Sequence, residues 1–146
     1  MKALLALFAA LLVVDGCSSP RIRSFQAIDP AQRTITVPPG GGLTGAIKDA
    51  LASDGGKITV YRGSEIRQGT MGETTRLERS RKFETRYAMF LRWQQFDVCV
   101  FCFDPAYHYD ISVVDTESGS GVLTLSGRGC EGRIVEKLMG ALKGEK

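Results

Sequence analysis

The sequence predicts an α+β fold: a two-layer sandwich of order β-α-β-β-β-α, with a mostly antiparallel sheet and two helices on one face. Three observations carry that expectation. The chain has 146 residues, 43% hydrophobic and 24% charged, which fits one globular domain and argues against wholesale disorder. Two stretches of the C-terminal half alternate polar and apolar residues, as half-buried strands do. Two other stretches repeat apolar residues at helical spacing, as amphipathic helices do. Such a mixture of strands and helices packs as layers around one core.

The elements follow in order. The folded part is expected from Arg33, as a single domain over residues 33–146. Thr34, Ile35, Thr36 and Val37 read as a short β-branched strand. Pro38, Pro39 and three glycines then force a turn. Leu43, Ile47, Ala50 and Leu51 share a helical face, and Gly55-Gly56 supplies the stop. Residues 58–61 (ITVY) read as a second strand. Residues 63–85 are polar, and Arg76, Arg79, Arg81, Lys82 and, just past the stretch, Arg86 are interleaved with Glu73, Glu78 and Glu84. That mixture of signs suggests a solvated loop or ribbon, and a surface for an anionic partner is the functional alternative.

From residue 86 to 93 the alternation is clean. Tyr87, Met89, Leu91 and Trp93 fall on one side, and Arg86, Ala88, Phe90 and Arg92 on the other. Residues 109–115 and 122–126 form two arms of a hairpin around the turn TESGSG. Ile134, Val135, Leu138, Ala141 and Leu142 trace the face of a last helix, with Glu131 early and Lys143 late, as the helix dipole favours.

The N-terminus addresses location. Lys2 precedes a run of twelve apolar residues, 3–14. That length suits the core of a secretory signal and falls short of the ~20 residues needed to span a bilayer. The run ends in Val14-Asp15-Gly16-Cys17, which resembles the lipobox of bacterial lipoproteins. Asp15 departs from the small or apolar residue usual at its position. The resemblance implies cleavage after residue 16 and acylation of Cys17. Two or three acyl chains make a lasting anchor, where one holds only marginally. Ser18 and Ser19, by analogy with enterobacterial sorting, point to the outer membrane, with release into the periplasm as the alternative location. Residues 17–32 are polar, carry two prolines and read as a lipidated tether.

The element order resembles small periplasmic domains such as the lipopolysaccharide-assembly lipoprotein and the N-terminal domain of TolB. The stretch YDISVVDTESGSGVLTLSGRGCEGRIVEKLMGAL resembles small proteobacterial outer-membrane lipoproteins. These resemblances carry over no catalytic residue, and fold analogy alone does not give function.

Once Cys17 is acylated, Cys99, Cys102 and Cys130 remain, and an oxidising compartment favours one disulfide. If residues 98–103 are extended, Cys99 and Cys102 lie ~10 Å apart and on opposite faces, beyond the ~7 Å limit for a bridge. In the expected hairpin register Gly127 falls opposite Tyr109, so Cys130 emerges beside residues 105–107. Cys130 therefore pairs with Cys99 or Cys102, and spacing does not choose between them. The competing reading of Cys-Val-Phe-Cys is a redox or metal-binding pair, but its apolar neighbours suit a core strand better than an activated thiol.

Other chemistry is excluded or weak. A net charge of +3 is too mild for a nucleic-acid binder. With one histidine, His108, a His-based zinc centre cannot form. Adding His108 to the three cysteines makes only a nominal ligand set. No G-x-S-x-G elbow supplies a nucleophile for His108. Asp97, Asp104, Asp110 and Asp115 fall at strand ends and turns, where aspartate shapes the backbone. The run PPGGGLTG lacks the ending of a phosphate-binding loop. The expectation is a non-enzymatic, lipid-anchored periplasmic module that binds or scaffolds, with no cofactor and no metal. Its partners would be the membrane, through the anchor, and an envelope protein or lipopolysaccharide at the uncovered sheet face. Arg86, Phe90 and Arg92 are the candidate contacts there. The alternative is a thiol-redox or metal-binding protein using Cys99 and Cys102.

Overall fold

A computed structural model describes residues 20–61, 85–100 and 102–145. The expected signal and lipobox-like residues, Cys17 and the basic run from Arg76 to Lys82 lie outside the described residues. The described chain forms β1 (Arg21–Ser24), β2 (Thr34–Val37), α1 (Leu43–Ser53), β3 (Lys57–Val60), β4 (Tyr87–Val98), β5 (Pro105–Asp115), β6 (Gly121–Cys130) and α2 (Glu131–Lys143). Six strands make one mixed, mostly antiparallel sheet of order β1-β6-β5-β4-β2-β3. The fold is α+β, as the alternating stretches and helical faces predict.

The sheet has two halves. β4, β5 and β6 are long antiparallel neighbours, and β1 adds antiparallel to β6. β2 joins β3 and β4 in parallel, and its pairing with β4 covers only Ile35↔Tyr87 and Thr36↔Ala88. A parallel pair needs a crossover, and α1 supplies it between β2 and β3. Tyr109 lies opposite Gly127, the register that the turn sequence implies.

Both helices pack against one core. Leu43, Ile47 and Leu51 from α1 meet Ile134 and Leu138 from α2 over Tyr87, Tyr107, Tyr109, Ile111, Val113, Leu123 and Leu125 of the sheet. These are the apolar positions of the two periodic patterns, so burial follows period 3.6 in the helices and period 2 in the strands. Fully burying such side chains contributes ~1.5–3 kcal/mol each, and this sets the register of the C-terminal hairpin.

The structure differs from two sequence-based expectations. Residues 21–24 are a strand, so the segment expected as a tether is largely built into the domain. All four β1 residues are exposed, and β1 pairs by backbone with β6. Ile28 packs against the core, and the Asp29 N–H donates to the Tyr87 hydroxyl at 3.0 Å. Backbone pairing without burial leaves no alternation in the sequence, which is why RIRS read as spacer. The second difference is at residues 98–103. β4 stops at Val98, and the chain turns: the Cys99 N–H donates to Asp104 O and the Phe103 N–H to Cys99 O.

Candidate functional site

The helices cover one sheet face. On β5, Tyr107, Tyr109, Ile111 and Val113 are buried beneath them, so His108, Asp110 and Ser112 alternate to the other face. Strand register then aligns the open face into rows. Arg21, Ser126, Asp110 and Arg92 form one row across β1, β6, β5 and β4. Arg23, Thr124, Ser112 and Phe90 form the next, and Arg128, His108 and Gln94 a third. These three rows therefore carry four arginines against one aspartate. Arg21, Arg23, Arg92, Arg128 and Asp110 are all exposed.

Where β4 diverges from β2, a cleft of about 510 Å³ opens, lined by Thr36, Pro38, Tyr61, Phe90, Arg92 and Asp110 among others. Its walls offer one cation, one carboxylate, hydroxyls and two aromatic rings. That set can recognise a polar or anionic group beside an apolar one.

Arg86 does not belong to this surface. Its Nε and Nη2 donate to Asp115 Oδ2 at 3.0 and 2.9 Å, and its Nη1 lies 2.8 Å from Glu117. Asp115 is buried, and its Oδ1 also accepts from the N–H groups of Glu117 and Ser118. The hydrogen bond from Arg86 holds the Asp115 carboxyl below the usual carboxylate range, and Asp115 in turn raises Arg86. The pair locks the β5–β6 turn to the start of β4. Of the sequence-derived contacts, Phe90 and Arg92 stand on the open face and Arg86 is spent on structure.

The glycine run ahead of α1 serves packing. Gly42 has φ +55°, and a Cβ there would come within 2.8 Å of the Trp93 ring. Trp93 crosses this turn, donates from Nε1 to the Thr44 hydroxyl at 2.9 Å and stacks edge-on against Tyr107 at 5.1 Å. The Tyr107 hydroxyl donates to Glu131 in the first turn of α2. Burial, reinforced by Glu131, pushes the Tyr107 phenol up.

The end of the β4–β5 hairpin gathers the cysteines. Cys99 is bridged to Cys130, with 6.0 Å between Cα atoms. This is one of the two pairings left open by spacing. The turn at residues 99–104 also brings Cys102 back, so that all three sulfurs lie within 4.8 Å of one another. Cys102 is exposed and carries a free thiol. The extended geometry that separated Cys99 from Cys102 in sequence reasoning does not occur. These three cysteines form the one potential metal-ligand group among the described residues. His108 is not in it, and packs instead against the Phe96 ring at 4.5 Å.

The same hairpin end holds the feature that sequence reasoning missed. Its apolar residues, expected as core, face outward: Val98 is 46% exposed, Val100 79% and Phe103 82%. Phe103 sits at φ +56°, a left-handed conformation uncommon for a phenylalanine. The available signal was Asp104-Pro105 closing the run, which favours a turn over continued strand.

No family model matches the chain, and no curated protein matches it. Solved structures do. A methionine-substituted variant of PelC from Paraburkholderia phytofirmans, described as a dodecamer, superposes with a TM-score of 0.56 at 11% identity, over 86% of this chain and 98% of that one. A second PelC dodecamer structure from the same organism gives 0.50 at 12% identity, over 85% and 95%. At this identity the likeness shows a shared fold.

Proposed function

We propose that this chain is a lipid-anchored periplasmic module of the outer membrane that binds or scaffolds and performs no catalysis. The observation that carries the reading is the helix-free sheet face, where Arg21, Arg23, Arg92 and Arg128 stand in three rows with one carboxylate, Asp110, and Asp97 follows in the next row toward the hairpin end. Arginine is suited to carboxylates and phosphates because its fork of donors grips two oxygens at once. The partner chemistry is therefore anionic: an acidic patch on an envelope protein, or lipopolysaccharide phosphate. The lipobox-like ending at Cys17 supports the anchor. PelC is a dodecamer, so a related fold supports self-assembly, and the mass of the solubilised particle belongs with the test.

The test has two arms. An acyl mass on the N-terminal peptide, lost in C17A together with most of the retention in the membrane pellet, supports the anchor, and an unacylated wild-type peptide sinks it. Neutralising the face with R92Q and R128Q lowers binding of lipopolysaccharide or of an acidic partner recovered by crosslinking. Unchanged binding sinks the open face as the contact surface.

The sulfur cluster favours a second reading, a thiol-exchange or metal-binding protein. Cys102 thiolate attacks Cys130 Sγ, a Cys102–Cys130 bond forms, and Cys99 leaves as thiolate. The step consumes no oxidant or reductant. Insulin reduction with dithiothreitol as the electron source, or one zinc per reduced chain, either of them lost in C102S, selects this reading. Absence of both removes it.

A further inference from the structure

We infer that the end of the β4–β5 hairpin is a membrane foot: Val98, Val100 and Phe103 sit in the lipid bilayer to which Cys17 is anchored. The inference rests on the lipid-anchor reading above and adds a second contact to it.

Strand order and chain length carry the argument. β1 runs antiparallel to β6, with Arg21 opposite Ser126. Pro20 is the next residue back, and its Cα lies 3.2 Å from where a Cβ on Gly127 would stand. β6 runs on from Gly127 to Cys130, which lies opposite Ala106 at the start of β5 and is bridged to Cys99 in the hairpin turn. The chain thus enters the sheet four rows short of the Pro105–Val98 pair, where the hairpin turn begins. Four rows of a strand span about 13 Å. Cys17 lies three residues before Pro20, which allows at most ~10 Å, and its acyl chains extend that reach. Across the sheet, β1 and β4 are separated by three strand spacings, or ~14 Å. An acyl group on Cys17 and the apolar hairpin end therefore reach one common plane.

The exposure pattern fits that occupant. Val100 and Phe103 are the two most exposed large apolar residues described, and Val98 and Phe96 continue the patch along β4. The positive φ of Phe103 belongs to a turn that points the ring out of the fold. Charges of both signs surround the patch. Asp97 and Asp104 lie in or beside the turn, and Arg128 and the highly exposed Arg133 lie on the strand and helix that leave it. The attraction is therefore apolar insertion rather than headgroup charge, and binding depends little on salt. Two contacts, acyl chains and hairpin, fix the tilt of the sheet and hold its arginine face at a set angle to the membrane.

The test uses the native, membrane-extracted protein reconstituted into phosphatidylethanolamine vesicles whose acyl chains carry bromine, which quenches tryptophan on contact. The wild type has one tryptophan, Trp93, and serves as the blank for an F103W variant. The added emission of F103W is quenched by the brominated chains, while V100S/F103S weakens vesicle binding of unacylated C17S protein by about tenfold or more. Emission of F103W that stays unquenched while the protein floats with the vesicles overturns the foot and leaves the anchor intact. The mass of the N-terminal peptide reads the anchor separately. An unacylated mass refutes the anchor, and the C17S protein then decides the foot alone: binding lost in V100S/F103S supports it, and no binding overturns it. Circular dichroism confirms that each variant is folded.

Discussion

Breaking the Cys99–Cys130 bridge has an effect that can be worked from the structure. The two residues are 31 apart in sequence. The chain-entropy model gives a loop of that length about 3.7 kcal/mol at 25 °C. Net stabilities of single domains run ~5–15 kcal/mol, so the bridge is a large share. The right comparison is oxidised against reduced protein in a C102S background, where no third sulfur can exchange. Urea unfolding followed by Trp93 fluorescence should show stability falling by roughly 3–4 kcal/mol on reduction. Thermal unfolding should fall on the order of 10–15 °C for a domain of this size. The Trp93 environment should persist in the reduced folded state, because its partners Thr44 and Tyr107 lie on other elements. A loss under ~1 kcal/mol would refute the entropic reasoning and imply that the unfolded chain already holds β6 near the hairpin. The model also explains why spacing did not choose the partner. A bridge from Cys102 closes a loop only three residues shorter, a difference of ~0.1 kcal/mol.

Three further outcomes are expected. Gly42→Ala should cost about 2–4 kcal/mol, from the left-handed φ of +55° and the 2.8 Å approach to Trp93, and should change the near-ultraviolet signal of Trp93; an unchanged signal means the ring does not press on this turn. Asp115, held below its ordinary value by Arg86, stabilises the fold above its unfolded pKa of about 3.9, and that contribution is lost as pH falls through its lower folded value; D115N should flatten the acid limb of a melting-temperature profile, and a parallel profile would contradict the pairing. Leu125→Ala, at a fully buried position between the helices and the sheet, should cost ~2–5 kcal/mol in urea unfolding, whereas a loss below ~1 kcal/mol would mean the site is not packed as described.

The sequence by itself determined the parts of this protein that are buried on one side. Alternation at residues 86–93 and 109–115, and helical spacing at 43–51 and 134–142, announce which face meets the core, because burial is periodic in both elements. The turn TESGSG fixed the β5–β6 register, and with it the neighbourhood of Cys130. What tertiary structure decided was everything held by contacts that leave no periodic burial pattern in the sequence. β1 is exposed at all four residues and exists because β6 offers it a ladder of backbone groups. Arg86 looks like its neighbouring arginines in sequence, and only the fold brings Asp115, 29 residues away, under its guanidinium. The run at residues 98–103 shows the limit most sharply. Its composition is that of a core strand, yet the turn at Cys99 exposes Val100 and Phe103 and draws three sulfurs together. Hydrophobicity says that a side chain gains by leaving water; it does not say whether the shelter is the protein's own core, a partner or a membrane.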